Sequence, residues 1–373
     1  MAYRSARQLA ACWRSGGGSR CVHGGVAGVG TGPRRTRVWV ISRDVVWLIV
    51  CALLVAGVCF IPQSTREEQE VWSHLSTVVD GDALDAGTPA SLLSLRQQLE
   101  TVARSYDAPP INARVDGVYR LIPGLAGVRL NMAKTLANPG ASPLVFDQMA
   151  PETGLSDFVA EPIYQGNPQK RQMALMINVA WGTEYVPQML SILRQYHVSA
   201  TFFLDGSWTA KHPEVARQIA VAGMELGNHA YTHPAMSRLS RDAMIAQITR
   251  TNQAIEKATG MSPALFAPPS GDFNQMVVRV AAGLKMRTIL WTLDTIDWRK
   301  PPAATIVRRI LPRAKPGALV LMHPTAGTVA ALPEIIQGLQ KQGYQLVTVS
   351  ALISPYRPVP RTIAEAQRGH PSG

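Results

Sequence analysis

The sequence predicts an α/β protein built on a deformed seven-stranded (β/α) barrel, preceded by a single transmembrane helix and a small α+β appendage. Three observations predict it. From residue 172 onward, apolar strand-like runs recur near 173–180, 199–205, 224–228, 264–268, 287–292, 318–323 and 345–349. Helix-like stretches separate them, near 184–196, 212–223, 240–259, 274–284, 302–314 and 328–342. The runs are continuously apolar, as parallel strands covered on both faces are. Seven such units favour a barrel or near-barrel over an open sheet. No glycine-rich phosphate fingerprint follows the first run, which counts against a dinucleotide fold.

The chain begins with a basic tail. Residues 1–43 hold eight arginines and no acid, so removing them from the net charge of +12 leaves +4 for everything else. A nucleic-acid partner is therefore not expected, because the basic excess is a tail and no interleaved basic-aromatic surface is apparent. The tail is expected to be cytoplasmic and disordered. Residues 45–61 form an uncharged apolar run, which at ~1.5 Å per helical residue nearly spans a hydrocarbon core of about 30 Å. With Trp47 at the interface and arginines before it, residues 44–62 read as an uncleaved anchor that leaves all later residues outside the cell. A cleaved leader is the competing reading. It lacks a small-x-small site, and Val58 precedes Cys59 where a lipid-attachment cysteine wants Gly or Ala. All four cysteines (Cys12, Cys21, Cys51, Cys59) lie in the tail or anchor, so any metal further along must be held by His, Asp or Glu.

After the anchor, residues 65–68 have capping-box spacing and open a short helix. Leu92, Leu95, Leu99 and Val102 recur at helical spacing until Pro109 and Pro110 end the element. Short apolar pieces around Ile122-Pro123-Gly124-Leu125 read as a turn between extended segments. Residues 63–138 thus form the α+β appendage, and 139–170, rich in Pro, Gly and Ser, a linker. The barrel is expected over 171–355, with 356–373 as a disordered tail. Pro213 and Pro302 sit near helix starts, where a missing N–H costs nothing.

In barrels of this kind the working residues lie at the C-terminal ends of strands. His229 and His233 follow the third run, Asp294 and Asp297 the fifth, and His323 closes the sixth. Two imidazoles four residues apart can close on one cation, with Pro234 stopping the backbone after the second. Each residue alone reads equally well as a loop residue satisfied by backbone. Five polar residues at one rim read as a site.

At these residues the sequence resembles the polysaccharide deacetylases with a NodB homology domain, carbohydrate esterase family 4. Thr201-Phe202-Phe203-Leu204-Asp205-Gly206 is similar to the family's second strand. Asn228-His229-Ala230-Tyr231-Thr232-His233-Pro234 is similar to its H-S/T-x-x-H-P motif, Asp294-Thr295-Ile296-Asp297-Trp298 to D-x-x-D-W, and Leu321-Met322-His323 to L-x-H. The appendage and the form Ile177-Asn178-Val179-Ala180-Trp181-Gly182 resemble the YlxY-type branch, linked to sporulation in Gram-positive bacteria. The resemblance implies a barrel of NodB type acting on N-acetyl groups of cell-wall glycan. It implies that His229 and His233 hold a divalent metal, zinc by donor type. His323 would protonate the leaving amine with Asp297 holding its imidazole. Trp298 and Leu321 would line the groove and acetyl pocket, and the backbone N–H near Ser270 would help bind the oxyanion.

Two departures accompany the match. The family's T-F-D-D-G supplies a basic Asp and an Asp ligand, and counting back from Pro187 those positions are Asn178 and Val179. The arginine of R-P-P-Y-G, which would hold the basic Asp, is Ala267. Asn cannot take a proton near neutral pH and Val cannot ligate. Two expectations follow. Either Glu184 or Asp272 rebuilds the site and an altered deacetylase remains, or the domain is a membrane-tethered glycan-binding or scaffolding module.

Overall fold

A computed structural model of the chain describes residues 89–117, 120–137 and 143–369. The expected tail (1–43), anchor (44–62) and capping-box helix lie outside the described residues. No helix among the described residues is long and apolar enough to cross a membrane.

Helix α1 (Pro89–Tyr106) carries the Leu95, Leu99 and Val102 spacing. Leu99 and Val102 are buried against Leu130, Leu136 and Leu144. Strands β1 (Arg114–Val115) and β2 (Leu121–Ile122) pair antiparallel. The turn expected around Pro123-Gly124 joins β2 to β3 (Gly127–Leu130), which continues into the short helix α2 (Met132–Leu136).

Of the linker expected over 139–170, the described residues 143–170 are a packed seam instead. They hold β4 (Phe146–Met149), antiparallel to β3. The fully buried Ile163 bridges Leu121 of the appendage and Ile289 of the barrel. Lys170, 4% exposed, donates through Nζ to the carbonyls of Ala351, Leu352 and Ser354 at 2.8, 3.2 and 3.0 Å. Burial draws its ammonium down to about 8.

The barrel body follows in order: β5 (Gln172–Val179), α3 (Val186–Gln195), β6 (Thr201–Leu204), α4 (Gly206–Lys211), α5 (Pro213–Val221), β7 (Glu225–Asn228), α6 (Arg241–Thr259), β8 (Leu265–Phe266), α7 (Gln275–Gly283), β9 (Arg287–Thr288), β10 (Leu293–Asp294), α8 (Ala303–Ile310), β11 (Leu319–Met322), α9 (Ala326–Lys341) and β12 (Gln345–Val347). The strands form one parallel sheet ordered β10-β11-β5-β6-β7-β8-β9, with β12 also on β5. Of the run expected at 287–292, only Arg287–Thr288 forms a strand, β9, and β10 follows just beyond it. The first pairs with β8 and the second with β11, so one stretch of chain is handed across the gap in the ring.

Strand alternation then decides what faces the interior. On β5, Met173, Leu175, Ile177 and Val179 enter the layer packed under helices α3, α5, α8 and α9. Ala174 and Met176 enter the inner cluster with Phe203, Ala267, Leu319 and Leu321. Asn178 falls on that inner row. Beyond β12, α10 (Val349–Ile353) receives Lys170, and α11 (Ile363–Arg368) occupies the segment expected as a disordered tail. Its Ala366 is buried in the cluster with Leu99, and Tyr106 O–H donates to the Ala366 carbonyl at 3.2 Å.

Candidate active site

The C-terminal ends of β5, β7, β10 and β11 border a pocket of about 420 Å³. Asn178, Ala180 and Trp181 form one side, and His229, His233 and Ser270 another. Trp291, Asp294, Trp298, Leu321 and His323 complete it. Of the residues expected to work here, six line the pocket: His229, His233, Ser270, Trp298, Leu321 and His323. The seventh, Asp297, stands behind His323.

Asp297 is completely buried. Its Oδ1 accepts from His323 Nδ1–H at 2.7 Å, and its Oδ2 accepts from the His323 backbone N–H at 2.6 Å and from Thr328 Oγ1–H at 2.5 Å. A carboxylate only accepts, so the ring proton sits on Nδ1 and Nε2 remains the end able to exchange a proton. The loop that presents Asp297 is strained, because β-branched Ile296 has φ 52°. Its backbone is tied by Ile296 N–H donating to Asp294 Oδ1 and Thr295 O–H donating to the Leu321 carbonyl. Ala230, His233 and Ser270, also around this rim, share the left-handed conformation.

His229 is 1% exposed and donates through Nδ1–H to the Ala267 carbonyl at 2.7 Å, leaving Nε2 with its lone pair. Burial, with His233 beside it, pushes the imidazole down to about 3. The His233 ring is exposed, its centroid 5.1 Å from that of His229. Two imidazoles are half of a zinc site, and a catalytic zinc takes three protein ligands. No group of three His, Cys, Asp or Glu side chains able to hold a metal occurs among the described residues. Val179, where the third ligand would stand, is fully buried in the helix-facing layer. The donor set falls one ligand short of a retained catalytic zinc.

The two replacements considered from sequence are not placed to act. Glu184 is exposed and does not line the pocket. Asp272 spends both oxygens on Ser237, accepting from its backbone N–H at 2.7 Å and its hydroxyl at 2.8 Å. Asp294 is the carboxylate that does line the pocket. Burial raises its carboxyl above the usual range.

Trp181 and Trp291 were not singled out from sequence as wall residues. The Trp181 ring lies over His323 with centroids 5.8 Å apart and planes 8° from parallel. Gly182 permits this: it has φ 74°, and a Cβ there would meet the Pro324 carbonyl oxygen at 2.1 Å. Trp291 packs on Gly271, where a Cβ would stand 2.6 Å from the indole. The available signal was position, since Trp291 ends an apolar run at the working rim.

The polysaccharide deacetylase family model matches residues 165–289. The YlxY protein of Bacillus subtilis is 42% identical over 274 residues, spanning 72% of this chain and 86% of that protein. The chain belongs to the polysaccharide deacetylase family. Within it, the likeness to YlxY places the chain in that branch. Among solved structures, BA3943 of Bacillus anthracis, a CE4 family pseudoenzyme, is 40% identical with a TM-score of 0.66, over 71% of this chain and 96% of that one. A mutant of that pseudoenzyme with restored enzymatic activity matches at 38% identity and the same TM-score, over 71% of this chain and 99% of that one. A peptidoglycan N-acetylglucosamine deacetylase of Bacillus cereus is 31% identical over 194 residues, spanning 51% of this chain and 70% of that protein.

Proposed function

We propose that this chain is a cell-envelope protein that binds N-acetylated cell-wall glycan in the groove without hydrolysing it, a pseudoenzyme on the deacetylase fold. The observation that carries the reading is Asn178 on the pocket wall. Amide hydrolysis needs a base to take a proton from attacking water and an acid to protonate the departing nitrogen. His323, held by Asp297, is fit for the second task. Asn178 has no basicity for the first, and Asp294 spends Oδ1 on the Ile296 N–H.

The groove itself is suited to a sugar chain. Trp181 and Trp298 are 44% and 48% exposed, and each offers a flat apolar face at the pocket edge. Arg299 lies over the Trp298 ring at 4.8 Å. Relatives named as peptidoglycan deacetylases support glycan as the ligand, and the Bacillus anthracis pseudoenzyme supports binding without turnover. The same reading places residues 44–62 in the membrane and the barrel outside, with a role in sporulation following the branch. Zinc is held by His229 and His233 only weakly.

Purified full-length protein should co-sediment with peptidoglycan and release no acetate from it. Acetate release that Asp294→Asn or His323→Ala abolishes would overturn the reading in favour of a rebuilt enzyme. Protease added to protoplasts should digest the barrel and spare the tail. Protection of the barrel would overturn the placement.

A further inference from the structure

A buried polar group without a partner is costly, and one stands in the wall of this pocket. Asn178 is 3% exposed, and its Oδ1 has no hydrogen-bond partner. Its neighbours explain why. Asn178 lies on the inner row of β5 among Ala174, Met176 and Phe203, with the apolar Ala267 buried in the same cluster. None of these offers a donor. An unmet buried acceptor of this kind destabilises the folded protein. The side chain also forms part of the pocket surface. A half-turn about χ2 exchanges the two ends of the carboxamide, so either its oxygen or its NH₂ can face an occupant.

We propose that Asn178 is the specificity-determining residue of the groove, reading the intact acetamide of an N-acetylhexosamine through its own carboxamide. The inference rests on the glycan-binding reading above and says what that groove recognises. A secondary acetamide carries one N–H donor and one carbonyl acceptor, which a primary carboxamide complements from either end. The methyl group requires an apolar surround, and Ala180, Trp291 and Leu321 line the pocket with Asn178. A carboxamide stays neutral at any physiological pH, so it holds the amide without starting its hydrolysis. The residue that forfeits catalysis is therefore the one that makes the groove a reader of acetylation.

The test compares binding of two probes to the full-length protein by titration calorimetry: the tetramer of N-acetylglucosamine and the tetramer of glucosamine. Wild type should prefer the acetylated tetramer. Asn178→Leu removes the orphan acceptor at similar volume, so it should melt no lower than wild type. It should bind the acetylated tetramer about 5- to 150-fold more weakly, the worth of one buried hydrogen bond left unmade, and the glucosamine tetramer about as before. A merely structural role would weaken both probes alike. If the leucine variant does not fold, Asn178→Ala is read in the same way. The proposal is overturned if the preference survives in the variant while Trp298→Ala abolishes binding, because the groove then binds glycan without Asn178. Wild type that binds neither tetramer overturns the glycan-binding reading itself, and this inference with it.

Discussion

Replacing Asp297 by Asn tests whether the His323 clamp is a structural element in its own right. The carboxylate is 0% exposed and accepts three hydrogen bonds, from the His323 backbone N–H, His323 Nδ1–H and Thr328 Oγ1–H. These join the loop after β10, the end of β11 and the start of α9. Asn keeps one acceptor end and turns the other into a donor. At the Oδ2 end the new N–H would face the His323 backbone N–H, and at the Oδ1 end it faces His323 Nδ1–H unless the imidazole changes tautomer. Hydrogen bonds to a charged group are worth about 1.5–3 kcal/mol each, and breaking a buried partnership costs about 3–5 kcal/mol. With the His323 imidazole able to change tautomer, we expect Asp297→Asn to lose about 3 kcal/mol. In a body of this size that is about 6–12 °C in Tm. Urea unfolding of the full-length protein at pH 7 measures it, and Thr328→Val, which removes one of the bonds, should cost less. An Asp297→Asn variant within about 0.5 kcal/mol of wild type, the range of surface changes, would refute the reasoning.

Three further outcomes follow from the same structure. His229 is neutral in the folded state down to about 3, against 6.5 when exposed, so the folded protein binds fewer protons in that window. Its contribution is whole above pH 6.5 and is lost as pH falls, by up to about 1.4 kcal/mol per pH unit. Urea midpoints from pH 6.5 to 4.5 should fall more steeply for wild type than for His229→Asn, and equal slopes would contradict it. Lys170→Met should destabilise the protein by about 2–4 kcal/mol in urea unfolding, because three carbonyls at the end of α10 lose their donor. A neutral result would mean that water replaces the ammonium there. Zinc loaded onto the full-length protein should fall well below one equivalent on dialysis, read by elemental analysis, because two imidazoles lack an anionic third ligand. Retention near one equivalent that survives His229→Ala would show another site.

Much of the rim was legible in the sequence because its signals are local. The spacing of His229 and His233, the placement of Asp294 and Asp297 after one apolar run, and His323 at the end of another survive without knowledge of tertiary contacts. The loss of the base was legible for the same reason, since Asn178 and Val179 stand where strand register puts them. What composition hid was packing. Residues 143–170 are rich in the residues of linkers, yet Ile163 stitches two parts of the fold together, and its partners Leu121 and Ile289 are distant in sequence. Ala366 looked like tail until α1 supplied a face to bury it. The stack of Trp181 on His323 depends on a left-handed Gly182 pressed against Pro324, a contact that no periodicity announces. Asp272 looked free to act because its commitment to Ser237 lies across a loop.

Acetate release from the tetramer of N-acetylglucosamine, by wild type and by a variant combining Asn178→Asp, Val179→Asp and Ala267→Arg, tests the central claim most directly. Both proteins are supplied with zinc, and rates are normalised to folded protein because Val179 packs in the helix-facing layer. The account predicts no release above background by wild type. It predicts measurable release by the combined variant, since a restored general base alone is worth ~10²–10⁴ in rate. Brisk release by wild type, abolished by His323→Ala, would contradict it.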